Sequence, residues 1–190
     1  MKDKLMPNPP NRGSRALFIG AAAVTALAVG GCHMKQPYEP TPPTAAAKAT
    51  ETLKSLPSFE DTQTQVQVAI TQITATASQL IPSITWETPH EGSGDNCERP
   101  YEQTDGKRYF LPDAVATNVV VSEPTWAKIQ EAAKGVAAQL EATQMQVMKD
   151  EPGNHDVGFY GPTGLFIKVG YRGNLVVSGY TGCRLPRDKK

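Results

Sequence analysis

Apolar residues recur at helical spacing in two stretches of the chain. The first stretch lies between Ser58 and Pro82, and its opposite side carries Gln and Thr. The second begins at Glu123, and the proline that follows it suits the first turn of a helix. The apolar positions are Phe59, Val66, Ile70, Ile73, Ala77 and Leu80 in the first stretch, and Trp126, Ile129, Ala133, Val136 and Leu140 in the second. Both stretches are predicted to form amphipathic helices that bury one face.

The last third of the chain instead alternates between apolar and polar residues, as strands do. Turn-forming glycines separate the runs 157–160, 165–172 and 175–181, and Gly173-Asn174 suits a tight hairpin. Further strands are predicted at 84–87, at the β-branched run 114–121 and at 144–149. Together these elements predict an α+β fold in which an antiparallel sheet of about five strands carries two helices on one face, in the order α-β-β-α-β-β-β.

The N-terminus carries an apolar run of 14 residues, 16–29, behind a basic, proline-broken start. A run of this length suits a signal peptide and is shorter than the roughly 20 residues that span a bilayer. It closes on Val29-Gly30-Gly31-Cys32, which resembles the bacterial lipobox. That resemblance implies cleavage after residue 31 and a diacylglyceryl group on the Cys32 thiol, which would anchor the protein to the extracytoplasmic face of the cell membrane. The alternative is an ordinary signal peptide that has a cysteine near its end.

The segment after Cys32 has prolines at positions 37, 40, 42 and 43, which favour an extended backbone. We therefore expect a tether over residues 32–54, a globular domain over 55–183, and a basic tail over 184–190 that is frayed.

The cysteine count fits this arrangement. Three cysteines would be an awkward number in a secreted protein, but lipidation of Cys32 leaves Cys97 and Cys183. In an oxidising compartment these two are expected to form a disulfide, with two unpaired buried thiols as the alternative.

Charge excludes one class of partner. The full chain has no net charge, but residues 1–31 hold four basic residues and one acidic residue, so the rest carries 15 basic and 18 acidic residues. A mildly acidic protein lacks the basic surface with which proteins bind nucleic acid, and we expect no nucleic-acid partner.

Candidate catalytic and metal-binding chemistry is sparse. The chain has no phosphate-binding glycine loop, nucleophile elbow or zinc-protease motif. His155-Asp156 and His90-Glu91 lie in turn-rich, polar stretches, where such residues are common without catalysis. We therefore predict no catalytic residue, no metal site and no cofactor.

Aromatic residues offer a different possibility. Four are candidates to face a ligand, for instance a lipid or a glycan: Trp86, Trp126, Tyr160 and Tyr171. Filling of the core between helices and sheet is the alternative role for aromatics at these spacings.

Several of these motifs together resemble the LppA/LppV-type lipoproteins of mycobacteria. They are the lipobox at Cys32, the Trp86 run, the loop cysteine Cys97, Ala116-Thr-Asn118 before the second helix with its Glu131-Ala-Ala133, and the closing Gly182-Cys183. The resemblance covers the signal peptide and about 81–183. It implies a cell-envelope lipoprotein and supplies no catalytic residues.

Three functions remain open on this basis. The first is a non-enzymatic, membrane-anchored lipoprotein that binds a protein partner or an envelope component. The second is a carrier that holds a lipid or glycolipid in an apolar cleft between helices and sheet. The third is an envelope enzyme.

Overall fold

The structure is a computed structural model that describes residues 39–190. The predicted signal peptide and Cys32 lie outside the described residues. Residues 39–190 form three helices and seven strands: α1 (Pro43–Ser55), α2 (Phe59–Leu80), β1 (Ser93–Asn96), β2 (Lys107–Phe110), β3 (Ala114–Ala116), α3 (Glu123–Ala138), β4 (Gln144–Glu151), β5 (Asn154–Tyr160), β6 (Leu165–Tyr171) and β7 (Leu175–Thr181). Within this range no helix is both long and apolar enough to span a membrane.

The strands form one antiparallel sheet in the order β1-β2-β7-β6-β5-β4, and β3 also pairs with β7. The predicted α+β class is confirmed, with more strands than predicted. The additional strands β1 and β2 lie in stretches that are polar or short. The predicted strand over 84–87 is reduced to a single bridge between Glu87 and Val115.

Both α2 and α3 pack on the same face of the sheet. Leu165, Ile167 and Val169 point from β6 into this core, and each is at most 2% exposed. On β7, Gly179 lets α2 approach closely, because a Cβ there would lie 2.4 Å from Cγ1 of Val66. The two predicted amphipathic helices therefore bury their apolar faces against one side of the sheet.

The prediction of an extended tether up to residue 54 is wrong for residues 43–55, which form α1. Pro43 occupies the start of the helix, where proline is tolerated, and the residues after it include Ala, Lys, Glu and Leu, which favour helix. The helix packs through Leu53, which is fully buried in a second, small core with Cys97, Cys183 and Leu185. The folded region therefore begins before residue 55.

The prediction of a frayed basic tail is also wrong. Arg184 and Leu185 are each 2% exposed, and the backbone of Arg184 pairs in both directions with that of Lys107. The amide of Phe59 donates to the carbonyl of Leu185, and Arg187 forms an ion pair with Asp61 at 2.7 Å. These contacts hold the tail against β2 and the start of α2, so it is not frayed.

Candidate functional site

The face of the sheet opposite α2 and α3 carries a row of four aromatic side chains. Phe110, Tyr180, Phe166 and Tyr160 lie on four adjacent strands and are direct cross-strand neighbours. Ring centres are 4.2 Å apart between Phe110 and Tyr180, 5.3 Å between Tyr180 and Phe166, and 5.8 Å between Phe166 and Tyr160. We call these four residues the aromatic row, and the face that carries them the open face.

An ion-paired arginine lies over Tyr180 of the aromatic row. The Arg108 guanidinium is 5.9 Å from the centre of the Tyr180 ring and binds both Asp95, at 2.6 Å, and Glu98, at 2.8 Å. The hydrogen bond from Arg108 holds the pKa of Asp95 below its ordinary value, and burial raises the pKa of the Tyr180 phenol. The two acids thus hold the arginine in place.

A depression of about 600 Å³ lies beside the aromatic row on the open face. Gly170 and Ser178 line it, and its rim carries the ion pair between Lys168 and Asp156 at 2.9 Å. Further polar residues surround it: Asp113, Lys149, Arg172 and Asn174. Because Gly170 has no side chain, this strand leaves a gap between its neighbours on β5 and β7.

A second depression, of about 210 Å³, connects the first one to the aromatic row. It is lined by Phe110 and Phe166 and by the loop residues His90 and Glu91. Asp113 and Ser178 line both depressions, so the two are direct neighbours on the open face; we call them together the trough. The trough is apolar at the aromatic end and polar at the end near the β6–β7 hairpin.

One oxygen of Asp156 lacks a partner in the described part of the chain. Its Oδ2 binds Lys168, whereas its Oδ1 is buried and receives no hydrogen bond. A Cβ added at Gly170 would lie 3.8 Å from this Oδ1. A buried acceptor without a donor is uncommon in proteins and requires an explanation.

The candidate pair His155-Asp156 is separated by the sheet, since neighbouring residues of a strand point to opposite faces. The His155 side chain is 3% exposed on the core side, where it contacts Asp150 at 3.1 Å and Glu123 at 3.0 Å. Its ring stacks on Trp126 at 4.7 Å. His155 thus connects the start of α3 to the β4–β5 hairpin, a structural role.

Glu123 completes this connection by accepting a hydrogen bond from the amide of Gly153 at 2.9 Å. That bond, together with the one to His155, lowers the pKa of the Glu123 carboxyl. The carboxylate is therefore ionised at neutral pH, as expected at the N-terminus of a helix.

The four aromatics that the sequence singled out do not meet in one cleft. Trp126 is 4% exposed in the core, and the Tyr171 hydroxyl bonds backbone atoms of Val119 and Val121. Half-buried Trp86 donates its indole N–H to Ser78. Of the four, Tyr160 lies in the aromatic row. Sequence reasoning missed Phe110 and Phe166, although residue 166 lies on the strand face opposite its buried neighbours 165 and 167.

The chain enters the domain next to a disulfide. Cys97 and Cys183 are joined, with their Cα atoms 5.5 Å apart. In the loop that follows Cys97, Glu102 accepts from the amide of Thr41 at 2.9 Å, and Gln103 donates to its carbonyl at 2.7 Å. Hydrogen bonding by Thr41 lowers the pKa of Glu102 to about 2. Thr41 is thus fixed to the disulfide-bearing loop just before α1 begins.

Among residues 39–190, no three His, Cys, Asp or Glu side chains gather as a metal site would need.

Comparison with solved structures gives two matches. The lipoprotein LppA from Mycobacterium tuberculosis matches with a TM-score of 0.62 and 15% identity, over 77% of this chain and 90% of its own. A DUF4853 family protein from Actinomyces odontolyticus matches with a TM-score of 0.41 and 12% identity, over 81% of this chain and 73% of its own. At this identity the first match shows the shared fold alone.

No curated protein matches the chain. A family model does: the family is LppA, described as a lipoprotein confined to pathogenic Mycobacterium, and the match extends over residues 34–187. The match includes the whole of the sheet, all three helices and both disulfide cysteines. The resemblance seen in the sequence is thereby confirmed, and the chain belongs to the LppA family of lipoproteins.

Proposed function

We propose that this protein is a non-enzymatic lipoprotein, anchored through a lipid on Cys32 at the extracytoplasmic face of the cell membrane, that binds an envelope component or partner on its open face. One observation carries the binding proposal: the trough and the aromatic row lie together on a sheet face that the core helices leave uncovered. Aromatic side chains beside a few convergent polar groups are typical of binding sites.

Anchoring at Cys32 rests on the lipobox and on membership of a lipoprotein family. The position of Thr41 adds a geometric argument. Strand β7 leads from Leu175, at the polar end of the trough, to Thr181 and then to the disulfide beside which Thr41 is held. The six steps from residue 175 to residue 181 span about 20 Å. Thr41 therefore lies near the end of the sheet opposite the polar end of the trough.

Binding fits the geometry better than catalysis or lipid carriage. His155 borders the trough, but both of its ring nitrogens contact carboxylates and its ring stacks on Trp126, so the imidazole is not free to act as a general base. Trp126 and Tyr171 fill the space between helices and sheet that a lipid carrier would need for an acyl chain. The trough is shallow and largely polar, which suits a ligand that stays partly in water.

Photo-crosslinking in intact membranes tests the binding surface. We expect a photoreactive phenylalanine analogue at Val176, on the open face, to give a specific covalent product in cells that make the full chain. The matched control is the same analogue at Val68, a valine of α2 that is 48% exposed on the helical side. Products that appear from position 176 and not from position 68 support the proposal. No product from 176, or the same products from both positions, would reject the open face as the binding surface.

A further inference from the structure

We infer that the trough binds a neutral oligosaccharide, an inference that rests on the proposed role of the open face as the binding surface. A sugar ring presents C–H groups on its flat faces and hydroxyl groups around its edge. It therefore needs an aromatic surface together with side chains that both donate and accept hydrogen bonds. The two ends of the trough provide these two kinds of contact.

The apolar end provides the surface for the C–H face. Phe110 and Phe166 line the second depression, and Phe110 is 39% exposed, so part of its ring remains available. Its other face stacks on Tyr180 at 4.2 Å, which fixes its orientation. Polarised C–H groups are attracted to the negative face of an aromatic ring, and contact there removes apolar surface from water.

The polar end provides acceptors and donors at close spacing. The Asp156 side chain, which is 28% exposed, can accept from a hydroxyl, and Asp113, which shares no ion pair within residues 39–190, provides a second carboxylate. The Ser178 hydroxyl and the Asn174 amide can both donate and accept.

Charge argues against a phosphate or other anion. Three cations border the trough: Lys149, Lys168 and Arg172. Of these, Lys168 is paired with Asp156 at 2.9 Å and Lys149 with Glu151 at 3.4 Å. Together with Asp113, these pairings leave the surface close to neutral. An anion would also lie close to the carboxylates of Asp113 and Asp156. A neutral, hydroxyl-rich ligand meets neither obstacle.

The length of the trough favours more than one sugar. Its lining extends along β6 from Phe166 to Arg172. Six residues of an extended strand cover about 20 Å, so a short oligosaccharide fits better than a single ring.

Gly170 allows this site to be blocked without disturbing the fold. A Cβ at Gly170 would meet its nearest atom, the His155 carbonyl oxygen, at 3.6 Å, an ordinary contact. Valine suits a strand, and in Gly170→Val its branched side chain would occupy the gap that opens into the trough. The matched control is Gly135→Val on α3, where an added Cβ has no atom within 4 Å.

The test is saturation-transfer NMR of trisaccharides with the full chain in phosphocholine micelles, which introduce no sugar headgroup. Maltotriose, cellotriose, chitotriose and mannotriose are the probes, each at millimolar concentration. We expect at least one to receive saturation. Gly170→Val and Phe110→Ala should each weaken its binding at least tenfold, and Gly135→Val should leave binding unchanged; melting curves verify that each variant is folded.

Absence of binding by all four trisaccharides would overturn the inference, as would undiminished binding by folded Gly170→Val. Line broadening of inorganic phosphate that Gly170→Val abolishes would also overturn it, in favour of an anion site. If crosslinking from position 176 captures a protein while no trisaccharide binds, the proposed function stands and the saccharide inference fails. If both experiments are negative, both proposals fail.

Discussion

Replacing Cys97 and Cys183 together with serine is expected to lower the free energy of unfolding by about 4–5 kcal/mol. The disulfide joins residues 86 positions apart, so its loss releases a long loop in the unfolded chain. It is also packed with Leu53 and Leu185 in the small core under α1. For a domain of this size the melting temperature should fall by roughly 10–20 °C. Urea denaturation of the full chain measures the change.

The matched control is the double alanine variant, which removes the cross-link without introducing two buried hydroxyl groups. If the cross-link itself is responsible, the alanine pair should lose most of the stability that the serine pair loses, and adding reductant to the natural protein should give a similar loss. An unfolding midpoint that is unchanged in both variants would contradict this account of the disulfide.

Trp126→Ala should cost about 3–5 kcal/mol, the usual range for removing a large buried aromatic side chain. The indole is 4% exposed in the core, and it stacks on His155 at 4.7 Å with the rings within 10° of parallel. Its removal leaves a cavity under α3 and frees the imidazole that connects Glu123 to Asp150. Chemical denaturation measures the loss.

Two comparisons separate the causes of that loss. Trp126→Phe keeps an aromatic ring against His155 and should lose less stability than the alanine variant. Val120→Ala, at a residue that is 86% exposed, should change stability by no more than about 0.5 kcal/mol. If Trp126→Ala were as stable as Val120→Ala, the indole would not be part of the core as described.

The helices α2 and α3 were predictable because the sequence of each contains both a capping residue and an apolar stripe. Ser58 and Ser122 cap the two helices by accepting from the amides of Asp61 and Thr125, and the apolar stripes repeat at helical period. The hairpins of β5, β6 and β7 were predictable because alternation and short turns fix their register locally.

The first helix, the sheet's first two strands and the shortness of β3 were not predictable in the same way. Prolines at 42 and 43 made α1 hard to predict, because proline is found in the first turn of helices and also favours an extended backbone. Strands β1, β2 and β3 have three or four residues each, too few to show a period. Strands β2 and β3 are placed by pairing with β7, which is distant in sequence, and β1 is placed by pairing with β2.

The candidate site shows the same division between local and distant signals. Tyr160, Phe166 and Tyr180 could have been aligned from the hairpin registers, because the residues between them are turns and alternating strands. Phe110 joins the row through the non-local pairing of β2 with β7, which the sequence does not reveal. The trough depends on Gly170, whose missing side chain matters only once its neighbours are known.

Membrane fractionation of Cys32→Ala, in cells that make the full chain, tests the central claim most directly. We predict that the natural protein sediments with membranes and needs detergent for release, because two acyl chains give stable anchoring. His33→Ala, the change at the adjacent position, should behave like the natural protein. Cys32→Ala should either leave the membrane fraction or remain as an uncleaved precursor. A correctly cleaved Cys32→Ala protein that stays bound to membranes would contradict the claim that a lipid on Cys32 anchors this protein.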